Sequence, residues 1–203
     1  MLCEERLSKN TKTLTTSKIN NITAYSTVVD LNKSTRLLDY NVDGLNACGS
    51  LATTIVFMYY YDYINNKFGN SLFSSNPLYM FNTIRNKIEP NKTGTNTIQL
   101  YTGIYNSYKL VTNLNSITLT VTEKSMAGHC LYAINDLKVP CILNIWDHPD
   151  YDKHWVVVHG VKRYYVNNKC KYCWLVVNNG WGKDNILVSD HYAKALIYIT
   201  NYN

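Results

Sequence analysis

The chain of 203 residues contains few charged side chains, 17% of the total, and it lacks any block of clustered Lys and Arg. Its formal net charge of +6 is scattered along the sequence instead of being gathered on one helix face. Proteins that bind nucleic acids usually present a basic patch or stripe to the phosphates. We therefore expect no nucleic-acid partner.

Long apolar runs are also missing. The longest stretches, "LATTIVFMYYY" and "CWLVV", are well short of the roughly 18 apolar residues that a membrane-spanning helix requires. The first twenty residues contain no apolar core of a signal peptide. We expect a soluble protein without a membrane span, of unknown localisation and oligomeric state, and secreted if a leader has been removed. Residues 1–21 are predicted to form a poorly structured N-terminal arm, with no folded propeptide pattern.

The six cysteines are too few and too irregularly spaced for a disulfide-dense scaffold. Cys170 and Cys173 have the spacing of half a zinc site or of a redox pair, but no second CxxC and no paired histidines lie nearby. A structural metal, a local disulfide and coincidence all remain open, and coincidence is favoured. We expect no metal and no cofactor.

A second cluster of metal-binding residue types occurs at 147–154, "DHPDYDKH". Carboxylates and imidazoles this close together could hold a cation. We interpret the segment as a solvated loop that leads into the following strand, because a bound metal would compete for His154. No partner for His129 or His191 is evident from the sequence.

The hydrophobic period changes between the two halves of the chain. From Cys48 the apolar residues recur with a helical period as far as 67–69, and Asn76-Pro77 predicts the start of a second helix that ends before Pro90. Two more helices are expected, around 100–111 and 126–134. From Pro140 the runs alternate or become continuously apolar, which predicts strands.

This order of elements predicts an α+β protein. Residues 22–203 are expected to form one domain, with a helical part at about 46–138 and a mainly antiparallel sheet part at about 139–200. Additional strand-like segments lie at 22–31 and 117–121. A groove is expected where the helical and sheet parts meet.

Cys48 opens the first predicted helix. The helix dipole and the unpaired backbone N–H groups of a first turn stabilise a thiolate, the reactive form of cysteine. Asn46 is placed to contribute a helix cap. Considered alone, Cys48 is better interpreted as a small buried hydrophobic residue.

Two histidines follow in "DKHWVVVHG". His154 and His159 are separated by an odd number of residues, so on a regular strand they point to opposite faces. His154 begins the apolar run, where the strand leaves a loop. His159 lies inside the run beside two valines, and we predict that it is structural and points away from Cys48.

The third motif is "VVNNGWG" at 176–182. If the strands before and after "VNNKCK" form a hairpin, antiparallel pairing returns Asn178 or Asn179 to the neighbourhood of His154. A side-chain amide there can accept the imidazole N–H and fix its tautomer. The simpler alternative is an Asn-Gly turn after a strand.

These motifs, "NACGSLATTIVFMYYYDYIN", "HWVVVHG" and "VVNNGWG", taken together resemble the papain-like cysteine peptidases, and among bacterial members the streptopain-like and bacteriocin-leader-processing peptidases. The resemblance covers about 41–199. It implies a papain-like fold in which Cys48 is the nucleophile, His154 the general acid/base and Asn179 the residue that orients His154. It also implies that Trp181 shields this set, with Asn178 as the less favoured orienting residue.

The resemblance further implies hydrolysis of a peptide or protein substrate through a thioester, with the backbone N–H of Cys48 in the oxyanion hole. Many relatives carry a glutamine about six residues before the cysteine, where this sequence has Val42. Asn41 is our candidate replacement. The alternatives are a papain-fold transglutaminase or deamidase and a catalytically inert pseudopeptidase that only binds.

Overall fold

The computed structural model describes residues 22–28, 46–63, 77–91, 93–112, 114–166, 169–181, 183 and 185–203. The predicted arm, Asn41, Val42 and Asn76 lie outside these residues. Four α-helices and seven strands are found within them. In chain order these are β1 (Ile22–Val28), α1 (Cys48–Tyr63), α2 (Pro77–Ile88), α3 (Thr97–Val111), β2 (Ile117–Thr122), α4 (Met126–Asn135), β3 (Cys141–His148), β4 (Asp152–Val166), β5 (Lys169–Asn178), β6 (Ile186–Ser189) and β7 (Ala193–Tyr202).

The strands form one sheet in the order β2-β7-β3-β4-β5-β6, and every pairing is antiparallel. The long strand β4 has β5 on one side, while β3 and then β1 lie along successive parts of its other side. The prediction of an α+β protein with a mainly antiparallel sheet is confirmed. The sheet also includes β1 and β2, which precede the predicted sheet part and pair antiparallel with β4 and β7.

Helix α1 is apolar on all sides, and its residues from Ser50 to Tyr60 are buried, as expected for a core helix. Val56 and Phe57 of α1 line a small internal space together with Ile142 of β3 and Ile197 of β7. The side chain next to Ile197 points to the opposite face. None of the described helices has the length and apolar character needed to cross a bilayer.

Helix α4 packs on that opposite face. The Nδ1 atom of His129 in α4 lies 2.9 Å from the hydroxyl of Tyr198 in β7, which is the residue after Ile197. Helices therefore cover both faces of the central strands. This explains the continuous apolar runs in β3, β4 and β7, because a strand buried on both faces has no need for a polar side.

Helices α2 and α3 bring a loop against the beginning of α1. Asn96 and Gln99 form a reciprocal capping box that starts α3. The indole N–H of Trp155 in β4 then donates to the carbonyl of Thr95 at 3.0 Å. A Cβ built on Gly49 would lie 2.6 Å from Cγ2 of Thr95, so this loop, the first turn of α1 and the start of β4 are in close contact.

Candidate active site

Cys48 is the first residue of α1 and is partly exposed. Its sulfur interacts with the backbone N–H of Trp155, the residue that follows His154 in β4, and with the N–H groups of Gly49 and of Cys48 itself. The beginning of α1 and the beginning of β4 therefore meet at the sulfur. This contact places Cys48 against the backbone of the residue that follows His154, although the two elements are about a hundred residues apart in the sequence.

The predicted thiolate is not the resting form of Cys48. Burial raises the pKa of the thiol above its ordinary value of 9.0, and the negative charge of Glu89 raises it further. The three backbone N–H groups lower the pKa but do not outweigh burial. The expectation from the helix dipole is therefore corrected: a buried anion loses more hydration than these donors restore.

His154 is buried, and its Nε2 atom lies 2.8 Å from the backbone carbonyl oxygen of Asn179. A carbonyl oxygen only accepts, so Nε2 must carry the hydrogen and Nδ1 of the neutral ring must be unprotonated. Burial lowers the pKa of His154 below its ordinary value of 6.5, and the Asn179 carbonyl partly opposes the shift. The imidazole is thus neutral near pH 7, with Nδ1 available as a base.

Asn179 contacts His154 through its backbone and not through its side-chain amide, which corrects the predicted contact. Its Oδ1 atom accepts the backbone N–H groups of Trp181 at 2.8 Å and Lys183 at 3.1 Å. Its Nδ2 atom donates to the hydroxyl of Tyr151 at 3.3 Å. The side chain therefore organises the loop after β5, and this loop presents the carbonyl to the imidazole.

The hairpin of β4 and β5 has the predicted form, with Val157 paired to Asn178 near its open end. Asn178 is buried, and its Oδ1 atom accepts the N–H of Gly180 at 2.9 Å, as in an Asn-Gly turn. Gly180 has φ of 72° and packs against Leu51 of α1. The turn that we considered as the simpler alternative is present, and it lies on the first turn of the helix that bears Cys48.

Two aromatic rings cover the imidazole of His154. The Trp181 ring centre lies 4.1 Å away, and Tyr151 is stacked at 5.4 Å with an interplanar angle of 18°. The expected contact of Trp181 is present, and this ring also remains 54% exposed. Tyr151 was not singled out from the sequence. An aromatic residue three positions before a candidate base is a signal that could have identified it.

The remaining predicted site residues have separate outcomes. Asn46 is exposed, has φ of 64° and lies beside Gly94, two residues before α1 begins. The carboxylate that faces the first-turn N–H groups belongs to Glu89, which sequence reasoning missed. The role of the Cys48 N–H in an oxyanion hole stays a prediction. His159 is buried at a bulge in β4, consistent with a structural role, and its orientation relative to Cys48 stays a prediction.

The two candidate metal or redox motifs, at 170–173 and 147–154, have different surroundings in the structure. Cys170 and Cys173 are both free thiols, and burial raises the pKa of Cys173 to about 12. In the segment 147–154, His148 is buried between the rings of Tyr151 and Tyr192. Its Nδ1 atom accepts the backbone N–H of Asp150 at 3.2 Å. These residues contribute packing beside the site.

Comparison of the chain with models of protein families and with curated proteins finds no match. A function therefore has to be argued from the chemistry of the site. Its central features are a cysteine at the start of α1 and a neutral buried imidazole fixed by a carbonyl. The loop after β5 contacts both the imidazole and α1.

The lowered pKa of His154 predicts a loss of stability in acid. Unfolding releases the ring to its ordinary pKa of 6.5, so the unfolded state takes up the proton first as the pH falls. The contribution of His154 is therefore retained above that value and lost progressively below it. Urea unfolding at pH 7.5 and pH 5 should show a smaller acid loss for His154→Gln, which can still donate to Asn179. An equal loss in both proteins would contradict this assignment.

Proposed function

We propose that this chain is a cysteine peptidase with a papain-like fold, in which Cys48 is the nucleophile and His154 the general acid/base. The observation that carries the proposal is the interaction of the Cys48 sulfur with the backbone N–H of Trp155, the residue after His154, together with the Asn179 carbonyl that holds the Nε2 hydrogen of His154. A nucleophile, a base and a group that orients the base are the three parts that such chemistry needs.

The protonation states support a reaction that begins with proton transfer. The Cys48 thiol gives its proton to Nδ1 of His154 as the sulfur attacks the peptide carbonyl. The C–N bond then breaks, the leaving amine takes the proton from Nδ1, and a thioester remains on Cys48. Water loses a proton to Nδ1 and attacks the thioester, the C–S bond breaks, and the proton returns to the sulfur.

The surroundings of His154 support its repeated use as an acid and a base. Tyr151 and Trp181 cover its ring faces and exclude water, while the Asn179 carbonyl stabilises the imidazolium that forms during each transfer. A buried imidazole otherwise resists protonation. The carbonyl thus orients the ring and also lowers the cost of charging it.

The oxyanion of the tetrahedral intermediate needs donors close to the sulfur. The first-turn N–H groups of a helix have no partner within the helix. We assign the N–H of Cys48 to this role, with Asn41 as the candidate second donor. Removal of one such donor typically costs about 100-fold to 1000-fold in rate.

Selective labelling of the thiol tests the proposed dyad without any assumption about the substrate. An epoxide-type thiol reagent at near-neutral pH is expected to modify Cys48 before the other cysteines, with the adduct mapped by mass spectrometry. Exposed Cys170 provides an internal comparison. His154→Ala should slow modification of Cys48 about 10-fold or more, because the thiol loses its base, and should leave Cys170 unchanged.

Two results would count against the dyad. One is labelling of Cys48 at the rate of Cys170, as for an ordinary thiol. The other is labelling of Cys48 that does not respond to His154→Ala. A transglutaminase or deamidase would pass the labelling test, since it forms the same thioester, and it is separated by its product: a modified side chain in place of a cleaved peptide bond.

A further inference from the structure

Glu89 is a buried carboxylate next to the candidate nucleophile, and the proposed reaction does not use it. It follows Ile88, the last residue of α2, and its side chain is 3% exposed. A negative charge at the end of a helix is opposed by that helix's own dipole. Glu89 therefore needs stabilisation from another element.

The other element is the first turn of α1. The hydroxyl of Ser50 donates to Oε2 of Glu89 at 2.6 Å, and the backbone N–H groups of Gly49 and Ser50 also face the carboxylate. Oε1 lies 3.3 Å from a Cβ built on Gly49. Glu89 thus joins α2 to the N-terminus of the helix that bears Cys48, where a helix favours a negative charge.

Backbone N–H groups of the same first turn also interact with the Cys48 sulfur. The N–H of Gly49 interacts with both the sulfur and the Glu89 carboxylate, so the two acids share a donor. Two negative charges at one helix start repel each other, and each disfavours ionisation of the other. Among the described residues, the sulfur interacts with the charge of Glu89 at the end of α2 and with the backbone N–H of Trp155 in β4, and Arg85 on α2 acts on Glu89.

We propose that Glu89 is a positioning residue that anchors the first turn of α1 and, through its negative charge, keeps the Cys48 sulfur protonated until His154 removes the proton. The inference rests on Cys48 being the nucleophile of the proposed function. Burial raises the pKa of Glu89 above its ordinary value of 4.5, so its charge is lost at a higher pH than that of an ordinary glutamate. Protonation of Glu89 then removes the negative charge that disfavours ionisation of Cys48.

Alkylation of Cys48 by iodoacetamide, followed across pH, tests this role. Glu89→Gln keeps the size and an acceptor for Ser50 but removes the charge, and we expect the midpoint of the pH profile to fall by about one unit. At pH 7 the alkylation rate should rise about threefold, because the tenfold gain in thiolate is offset by its lower nucleophilicity. Glu89→Asp, which keeps the charge, should retain the wild-type midpoint more closely.

Matched variants separate the charge from structural effects. Ser50→Ala removes the hydrogen bond and keeps the charge, so it should lower stability without reproducing the shift. Glu123→Gln removes an exposed charge on the turn after β2 and should leave the profile unchanged. Glu89→Met is a second charge-free variant of similar volume that gives the same test if Glu89→Gln does not fold.

A midpoint that stays within a few tenths of a unit in the charge-free variant, or that rises, would overturn the role of Glu89. An equal shift in Ser50→Ala would also overturn it by assigning the effect to loosening of the helix start. The assay measures Cys48 in the absence of a peptide substrate. A failure to cleave peptides would therefore disprove the proposed function without affecting this result, and a missing shift would disprove the role of Glu89 without affecting peptide cleavage.

Discussion

Cys48→Ala is expected to abolish peptide hydrolysis, reducing the rate by at least about 10⁴-fold relative to the unchanged protein. The substitution removes the only atom that can form the proposed thioester, while the small alanine side chain is compatible with the start of α1. Hydrolysis is measured by incubating the protein with a peptide library and counting new amino termini by mass spectrometry. Because the fold should be retained, the circular dichroism spectrum serves as the check on structure.

Cys173→Ala is the matched control for this prediction. Cys173 is another partly buried thiol, it lies on β5, and burial raises its pKa to about 12. Its replacement should leave hydrolysis within about twofold, as for substitutions away from the reacting groups. Equal activity of Cys48→Ala and the unchanged protein would rule out Cys48 as the nucleophile. Deamidated or cross-linked peptides without new termini would favour the transglutaminase or deamidase alternative.

Gly180→Ala is expected to lower the free energy of unfolding by about 1–3 kcal/mol. Gly180 has φ of 72°, a conformation that costs energy for residues with a Cβ, and the added Cβ would lie 2.9 Å from Cδ2 of Leu51. Relief of this contact would move the loop that presents the Asn179 carbonyl. A displacement of about 1 Å at such a site typically costs about 100-fold in rate.

Two companion variants separate the backbone strain from the steric contact. Gly180→Asn tolerates the left-handed backbone better but keeps the Cβ, so it isolates the clash. Leu51→Ala combined with Gly180→Ala removes the clash and should recover part of the lost rate, at the cost of a cavity. Urea unfolding and single-turnover kinetics measure the two effects. Unchanged stability and rate in Gly180→Ala would show that the loop does not depend on this contact.

Much of the fold follows from hydrophobic period and turn chemistry. The helix that starts at Cys48, the helix that starts at Pro77 and the hairpin of β4 and β5 are all found where the sequence predicts them. These features are local, because a helical repeat, a proline at a first turn and two apolar runs around a short turn need no distant partner. The positions of β1 and β2 in the sheet depend on pairing with strands far along the chain.

The candidate site also combines features that the sequence predicts with a contact that only the structure shows. The sequence suggests Cys48, His154, Asn179 and Trp181 as candidates, and the structure places Asn179 and Trp181 against His154 and the Cys48 sulfur against the N–H of Trp155. It does not reveal which part of Asn179 contacts the imidazole. That choice depends on the direction of the chain after β5, where the side chain binds the backbone of its own loop and leaves the carbonyl facing His154.

The sequence by itself determined where the helices and the hairpin of β4 and β5 form, since these depend on neighbours a few positions apart. Only the tertiary structure decided the protonation states of Cys48 and His154, because burial and the charge of Glu89 come from separate elements packed together. A helix start favours a thiolate when it faces water. Here it is covered by β4 and by the end of α2, so desolvation outweighs the donors and the sulfur remains a thiol.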